Sequence, residues 1–250
     1  MEGSWIFLSH SSKDITTIRK IRNEFENYGH NPLAFHLKCL NSNTAEGNKE
    51  IFDLLKREID ARNWFVFCDS ENSRNSDYVS YERTYIMKSG KKEVWTIDLS
   101  QSWEQIKKKI EHISRDLSIY VSYDPKDRAY ADPLVDLLRA NDFTVWTDAD
   151  MKNRHEDKYT HSIVYGLLYI FVSNRSIERM YKELDYILNY CNGGETIVPI
   201  FIGNPNMDPQ TENWLKGGGG FYTISENLEE VDYADVLLNL EKYIQASRNN

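Results

Sequence analysis

Among the residues whose types could do chemistry in this chain of 250 residues is one carboxylate, Glu82. It closes the run SENSRNSDYVSYE, with Ser70 at its head and Tyr78 four residues before Glu82, on the same face if the segment is helical. A carboxylate fixed at a sheet edge can stabilise developing positive charge. The plainer reading is a glutamate that complements a helix dipole or faces solvent. A second candidate is FLSHSSKD, where an apolar run ends in Ser9, His10 and Ser11 as a helical pattern begins. Such a turn offers N–H groups and hydroxyls to a phosphate, or simply caps the helix. His10 fits a ligand contact or a capping or surface role equally. Lys38, near the end of PLAFHLKCL, can reach a phosphate or snorkel from an apolar strand.

Other chemistries find no support. There is no CxxC or HExxH, and the six histidines are dispersed, so no metal site is expected. Gly217 to Gly220 lack a following Gly-Lys-Ser/Thr and read as a flexible turn, not a phosphate loop. Cys39 and Cys68 lie in apolar runs as buried free thiols would, and Cys191 stands apart. The net charge of −9, with basic residues scattered among acidic ones, argues against nucleic acid as the main partner. No apolar run approaches membrane-spanning length and no signal peptide is evident, so a soluble, cytoplasmic protein with no membrane partner is expected. Hydrophobic residues at 40% exclude a disordered chain.

The elements that must position these residues come in two similar series. In the first, apolar strands are expected at 5–9, 32–40, 64–68 and 93–99. They alternate with helices at 14–28, around Ile51, Leu54, Leu55 and Ile59, at 77–88 and at 103–113. YVSYDPKD, at 120–127, restates FLSHSSKD, and a second series follows. Its strands are expected at 118–122, 143–146, 167–173 and 197–202, with helices at 130–141, 178–190 and 232–244 and a polar loop at 147–157. Strands apolar along their whole length and alternating with helices predict parallel sheets covered on both faces. The expected organisation is two α/β domains, 1–115 and 116–250, each a flavodoxin-like parallel sheet with helices on both faces. No Pro/Gly-rich linker separates them, which predicts tight packing.

The opening FLSHSSKD strand, the third strand WFVFCDS and a glutamate in the next helix resemble the Toll/interleukin-1 receptor (TIR) domain, most closely its bacterial branch. The family motif runs Ser, a variable loop, Ser-x-Trp, three residues and Glu; here it stands as Ser70, Ser76-Asp77-Tyr78 and Glu82, with Tyr for Trp. The resemblance covers residues 4–99 well. The second half is similar in YVSYDPKD, DFTVWTD and the run from Ser173 to Glu183, but it departs in spacing. Ser70 to Glu82 spans twelve positions and Ser173 to Glu183 ten, with Arg179 four residues before Glu183. Either the helix start is fixed and the carboxylate swings aside, or the loop is merely shorter.

TIR domains are adaptors that only assemble, or enzymes that cleave the nicotinamide–ribose bond of NAD+. The resemblance therefore implies an NAD+ nucleosidase with NAD+ as substrate and no cofactor. It gives Glu82 as catalytic, and Ser9, His10, Ser11, Lys38, Ser70 and Tyr78 as substrate-binding. Residues 43–48 align with the family's mobile lid and assembly loop. It implies an ADP-ribose-type signal, cyclic or not, in bacterial anti-phage defence of the Thoeris type, sensed by a separate effector, with self-association through TIR domains. The second domain is then degenerate and serves assembly. The alternative is a non-catalytic adaptor that gathers other TIR proteins; a third reading is an enzyme acting on another N-glycoside.

Overall fold

The structure, a computed structural model, describes residues 3–34, 45–89, 93–150, 165–182, 196–217 and 221–247. Lys38, Cys39, Glu183 and Cys191 lie outside the described residues. The chain divides into two compact units, Glu2–Ser114 and Arg115–Asn250, with the division falling inside one helix.

The first unit runs β1 (Trp5–Ser9), α1 (Ile15–Asn27), β2 (Asn31–Ala34), α2 (Ala45–Asp60), β3 (Trp64–Asp69), the single-turn α3 (Glu71–Arg74), α4 (Asp77–Ser89), β4 (Glu93–Asp98) and α5 (Trp103–Leu117). All pairings are parallel, in the order β2-β1-β3-β4. Successive side chains on a strand face opposite sides, so each strand must be apolar throughout to bury both faces. Phe7, Phe65 and Phe67 pack with Ile51, Leu55 and Ile59 of α2 and Ile86 of α4. α1 contributes a buried stripe of Ile18, Ile21 and Phe25, and α5 one of Ile106, Ile110 and Ile113. Lys107 of α5 lies 3.5 Å from Glu24 of α1, so these two helices are neighbours. Gly29 ends the first turn with φ of 85°, a left-handed conformation that suits glycine.

The second unit follows the same plan: β5 (Ser118–Ser122), α6 (Arg128–Ala140), β6 (Thr144–Thr147), β7 (Leu167–Val172), helical backbone over 177–182, β8 (Thr196–Ile202), a helix at Pro209–Gly217, β9 (Tyr222–Ile224) and a last helix at Ala234–Ser247. Its sheet is parallel, in the order β6-β5-β7-β8-β9. Tyr120, Trp146, Leu168, Ile170 and Met180 are among its buried core. Two parallel sheets flanked by helices thus make an α/β fold. Among the described residues, no helix is long and apolar enough to cross a membrane.

Two expectations are corrected. Residues 45–48, expected as part of a mobile polar loop, form the first turn of α2. The helix begins six residues before Ile51, its first buried isoleucine, in a stretch where polar residues carry no periodic signal. Gly217, expected in a flexible turn, ends the helix Pro209–Gly217, which is held by Asp208 accepting from the N–H groups of Gln210 (3.0 Å) and Thr211 (3.1 Å).

Candidate active site

In both sheets the chain winds first to one side of the opening strand and then to the other. The crevice beyond the carboxyl ends of β1 and β3, and of β5 and β7, is therefore a topological switch point, where open α/β sheets bind ligands. Ser9 is the last residue of β1 and Ser122 the last of β5, and both are buried.

Ser9 stands two residues beyond Phe7, on the sheet face that α2 and α4 cover. Val79, Glu82 and Ile86 are the buried residues of α4, so Glu82 takes a place in an otherwise apolar stripe. The two side chains meet there: Ser9 Oγ donates to Glu82 Oε2. Glu82 is only 6% exposed, and burial pushes its carboxyl up from the ordinary 4.5 to about 7, against the opposing effect of the Ser9 hydrogen bond. Near neutral pH it is divided between acid and carboxylate. A buried group poised there is what proton transfer, or stabilisation of a passing cation, requires.

The other candidates take other places. His10 Nδ1 lies 2.7 Å from the Leu8 carbonyl, half-buried beside Ser9. Ser11 caps the short turn Ser12–Asp14, accepting from the Lys13 N–H at 3.3 Å. Ser70 is the N-cap of α3 and exchanges bonds with Ser73 (3.0 and 2.8 Å). Its hydroxyl donates to Asp14 at 2.6 Å, and Asn72 donates to the other Asp14 oxygen at 2.6 Å. Ser70 thereby ties the β3 loop to the β1 loop. The Tyr78 ring packs on Phe52 of α2 at 5.6 Å, and Tyr81 packs on the same ring at 4.5 Å. The structure thus brings Ser9 and Glu82 into direct contact and sets Ser11 and Ser70 in the loops that hold their strand ends.

Asp14 was missed from sequence. Its counterpart shows that it recurs by design of the fold: Asp127 precedes α6 as Asp14 precedes α1, with nearly the same backbone (φ −99°, ψ 7° against φ −97°, ψ 11°). Ser173 donates to Asp127 at 2.7 Å, and the Ser173 N–H donates to Ser176 Oγ at 2.8 Å, matching Ser70 and Ser73. The signal available was the paired KD in SSKD and DPKD.

At the mouth of the second crevice the chemistry differs. Asp148, just after β6, accepts from Tyr120 Oη at 2.5 Å and from Arg179. Arg179 also donates to the Tyr123 carbonyl in the loop after β5. This guanidinium is therefore neutralised and strapped across the strand ends.

A parallel five-stranded sheet of order 2-1-3-4-5, opening on this turn, defines the class of the second unit. Its family follows: the family model described as TIR domain matches residues 119–235, and that segment is a TIR domain. The match falls on the half where the resemblance was the looser. No curated protein matches the chain. A solved structure described as a crystal structure of an SsGBP mutation variant is 13% identical over 99% of this chain and 97% of its own, with a TM-score of 0.31, too low to inform the fold.

Proposed function

We propose that the first half, residues 1–115, is a catalytic TIR-like domain that cleaves the nicotinamide–ribose bond of NAD+, and that the second half, 116–250, is a supporting TIR domain. The observation that carries this reading is the buried Ser9–Glu82 pair at a switch point, on an architecture that the TIR half repeats down to its Asp–Ser lock. The chemistry asks for little more. Nicotinamide leaves as a neutral ring from a cationic pyridinium, so no general acid is needed, unlike the two-carboxylate glycosidases. The ribose becomes oxocarbenium-like, and an ionised Glu82 stabilises it electrostatically. Water or a hydroxyl of the ligand then completes an ADP-ribose-type product, linear or cyclic, with release of a proton. A role in bacterial anti-phage signalling, with self-association and a separate effector reading the product, extends this by family analogy.

Nicotinamide release by the purified chain, followed across pH, tests it. Only the ionised carboxylate helps, so the rate should rise with pH about a midpoint near 7, the value set by burial of Glu82. Ser9→Ala removes the hydrogen bond that favours the ionised form. The midpoint should move upward and the rate at pH 7 should fall, while the plateau at high pH largely remains. A flat profile from pH 5.5 to 9 contradicts the role of Glu82.

The second reading, an adaptor that only assembles, is favoured by the family match on the second half and by the Arg179 strap across its crevice. It predicts no nicotinamide release at any pH, alone or in extract of phage-infected cells.

A further inference from the structure

We propose that the first unit carries a separate binding site for the phosphate-bearing end of a nucleotide, in the cleft between β3, β4 and the start of α4, with Arg83 as its anchoring cation. The cleft holds about 200 Å³. Phe67, Cys68 and Val79 give it an apolar floor, and Arg74, Arg83 and the exposed Thr96 stand around it. It opens at the carboxyl end of the sheet, where ligands of such folds bind.

The two guanidiniums are not equivalent. Arg74 is engaged twice by Asp69, Nε to Oδ1 at 3.0 Å and Nη2 to Oδ2 at 2.7 Å, with Asp98 and Glu71 adding to the negative field around it. This pair neutralises Asp69, leaving Arg83 as the cation of the cleft that is not held by a carboxylate among the described residues. Arg83 is exposed, and its guanidinium lies over the Phe67 ring at 5.1 Å. It makes no carboxylate contact among the described residues. A guanidinium resting on an aromatic ring, with no carboxylate partner, retains N–H donors of the kind that recognise phosphate bidentately. The volume exceeds what a bare phosphate needs, yet lies below the roughly 300 Å³ at which sites for whole drug-sized ligands begin. It therefore suits one phosphorylated end of a larger molecule, with Arg83 exposed at its edge.

The cleft is distinct from the Glu82 crevice, although the two are neighbours. Phe67 is the register partner of Ser9 on the adjacent strand, and Arg83 follows Glu82 in α4. The proposal does not rest on catalysis, since a chain that cleaves nothing would still bind.

The test titrates the full chain with AMP, with inorganic phosphate as competitor and with adenosine as the phosphate-free control, read by isothermal calorimetry and the backbone amide resonance of Thr96. AMP should bind, phosphate should displace it and adenosine should fail. Arg83→Met, which keeps the stem on Phe67, should weaken AMP at least about tenfold, with Arg83→Lys recovering part of it. Glu82→Gln should bind AMP as wild type does. Undiminished binding in Arg83→Met, equal binding of adenosine, failure of phosphate to compete, or loss of binding in Glu82→Gln would overturn the proposal. Arg83-dependent binding without any nicotinamide release would sink the catalytic reading alone.

Discussion

Replacing Glu82 by Gln should cut nicotinamide release by about 10²–10³-fold and, above neutral pH, make the protein more stable. The amide keeps size and most hydrogen bonding but removes the charge that faces the oxocarbenium. The stability gain follows from linkage. The folded value near 7 stands above the ordinary 4.5, so the favourable contribution of the protonated group is complete below about 4.5 and is lost as pH rises through 7. At pH 8 the wild-type chain carries a buried charge that Gln does not, a difference of about 3 kcal/mol. At pH 4 the two should unfold alike. Denaturant unfolding at both pH values checks this. A residue that weakens the fold at working pH yet holds a core position is best explained by function.

Phe65→Ala should have a comparably large effect by the opposite route. Phe65 is fully buried in β3, with its ring 5.7 Å from that of Phe7, beneath the helices α2 and α4. Truncation leaves a cavity under the helix that carries Glu82 and should cost about 3–5 kcal/mol. Activity should then fall in step with unfolding and return where the folded form is restored, for instance in a stabilising osmolyte. Glu82→Gln loses activity with the fold strengthened, and Phe65→Ala loses it with the fold weakened. If Phe65→Ala unfolds at the wild-type denaturant concentration, the packing described for this sheet is wrong.

Much of this arrangement was legible in the sequence, because parallel strands buried on both faces appear as unbroken apolar runs such as WFVFC and LLYIF. The Ser-rich endings of β1 and β5 and their following helices were visible for the same reason. Glu82 was legible as a motif residue, and its spacing from Val79 and Ile86 already places it on a buried stripe. The Asp14–Ser70 and Asp127–Ser173 locks were not, since their partners lie 56 and 46 residues apart and each residue alone reads as a cap. The packing of the Tyr78 ring on Phe52 was not legible, since it depends on α2 lying alongside α4. The short α3 escaped notice because a four-residue helix has no period to detect.

The most direct test of the central claim compares nicotinamide release from NAD+ by wild type, Glu82→Gln and Glu183→Gln at pH 8, each checked for cooperative unfolding. If the first half holds the reacting carboxylate, Glu82→Gln should fall by about 10²-fold or more while Glu183→Gln stays within about twofold of wild type. Retained turnover in Glu82→Gln, or equal losses in the two variants, would contradict the assignment of chemistry to the first half.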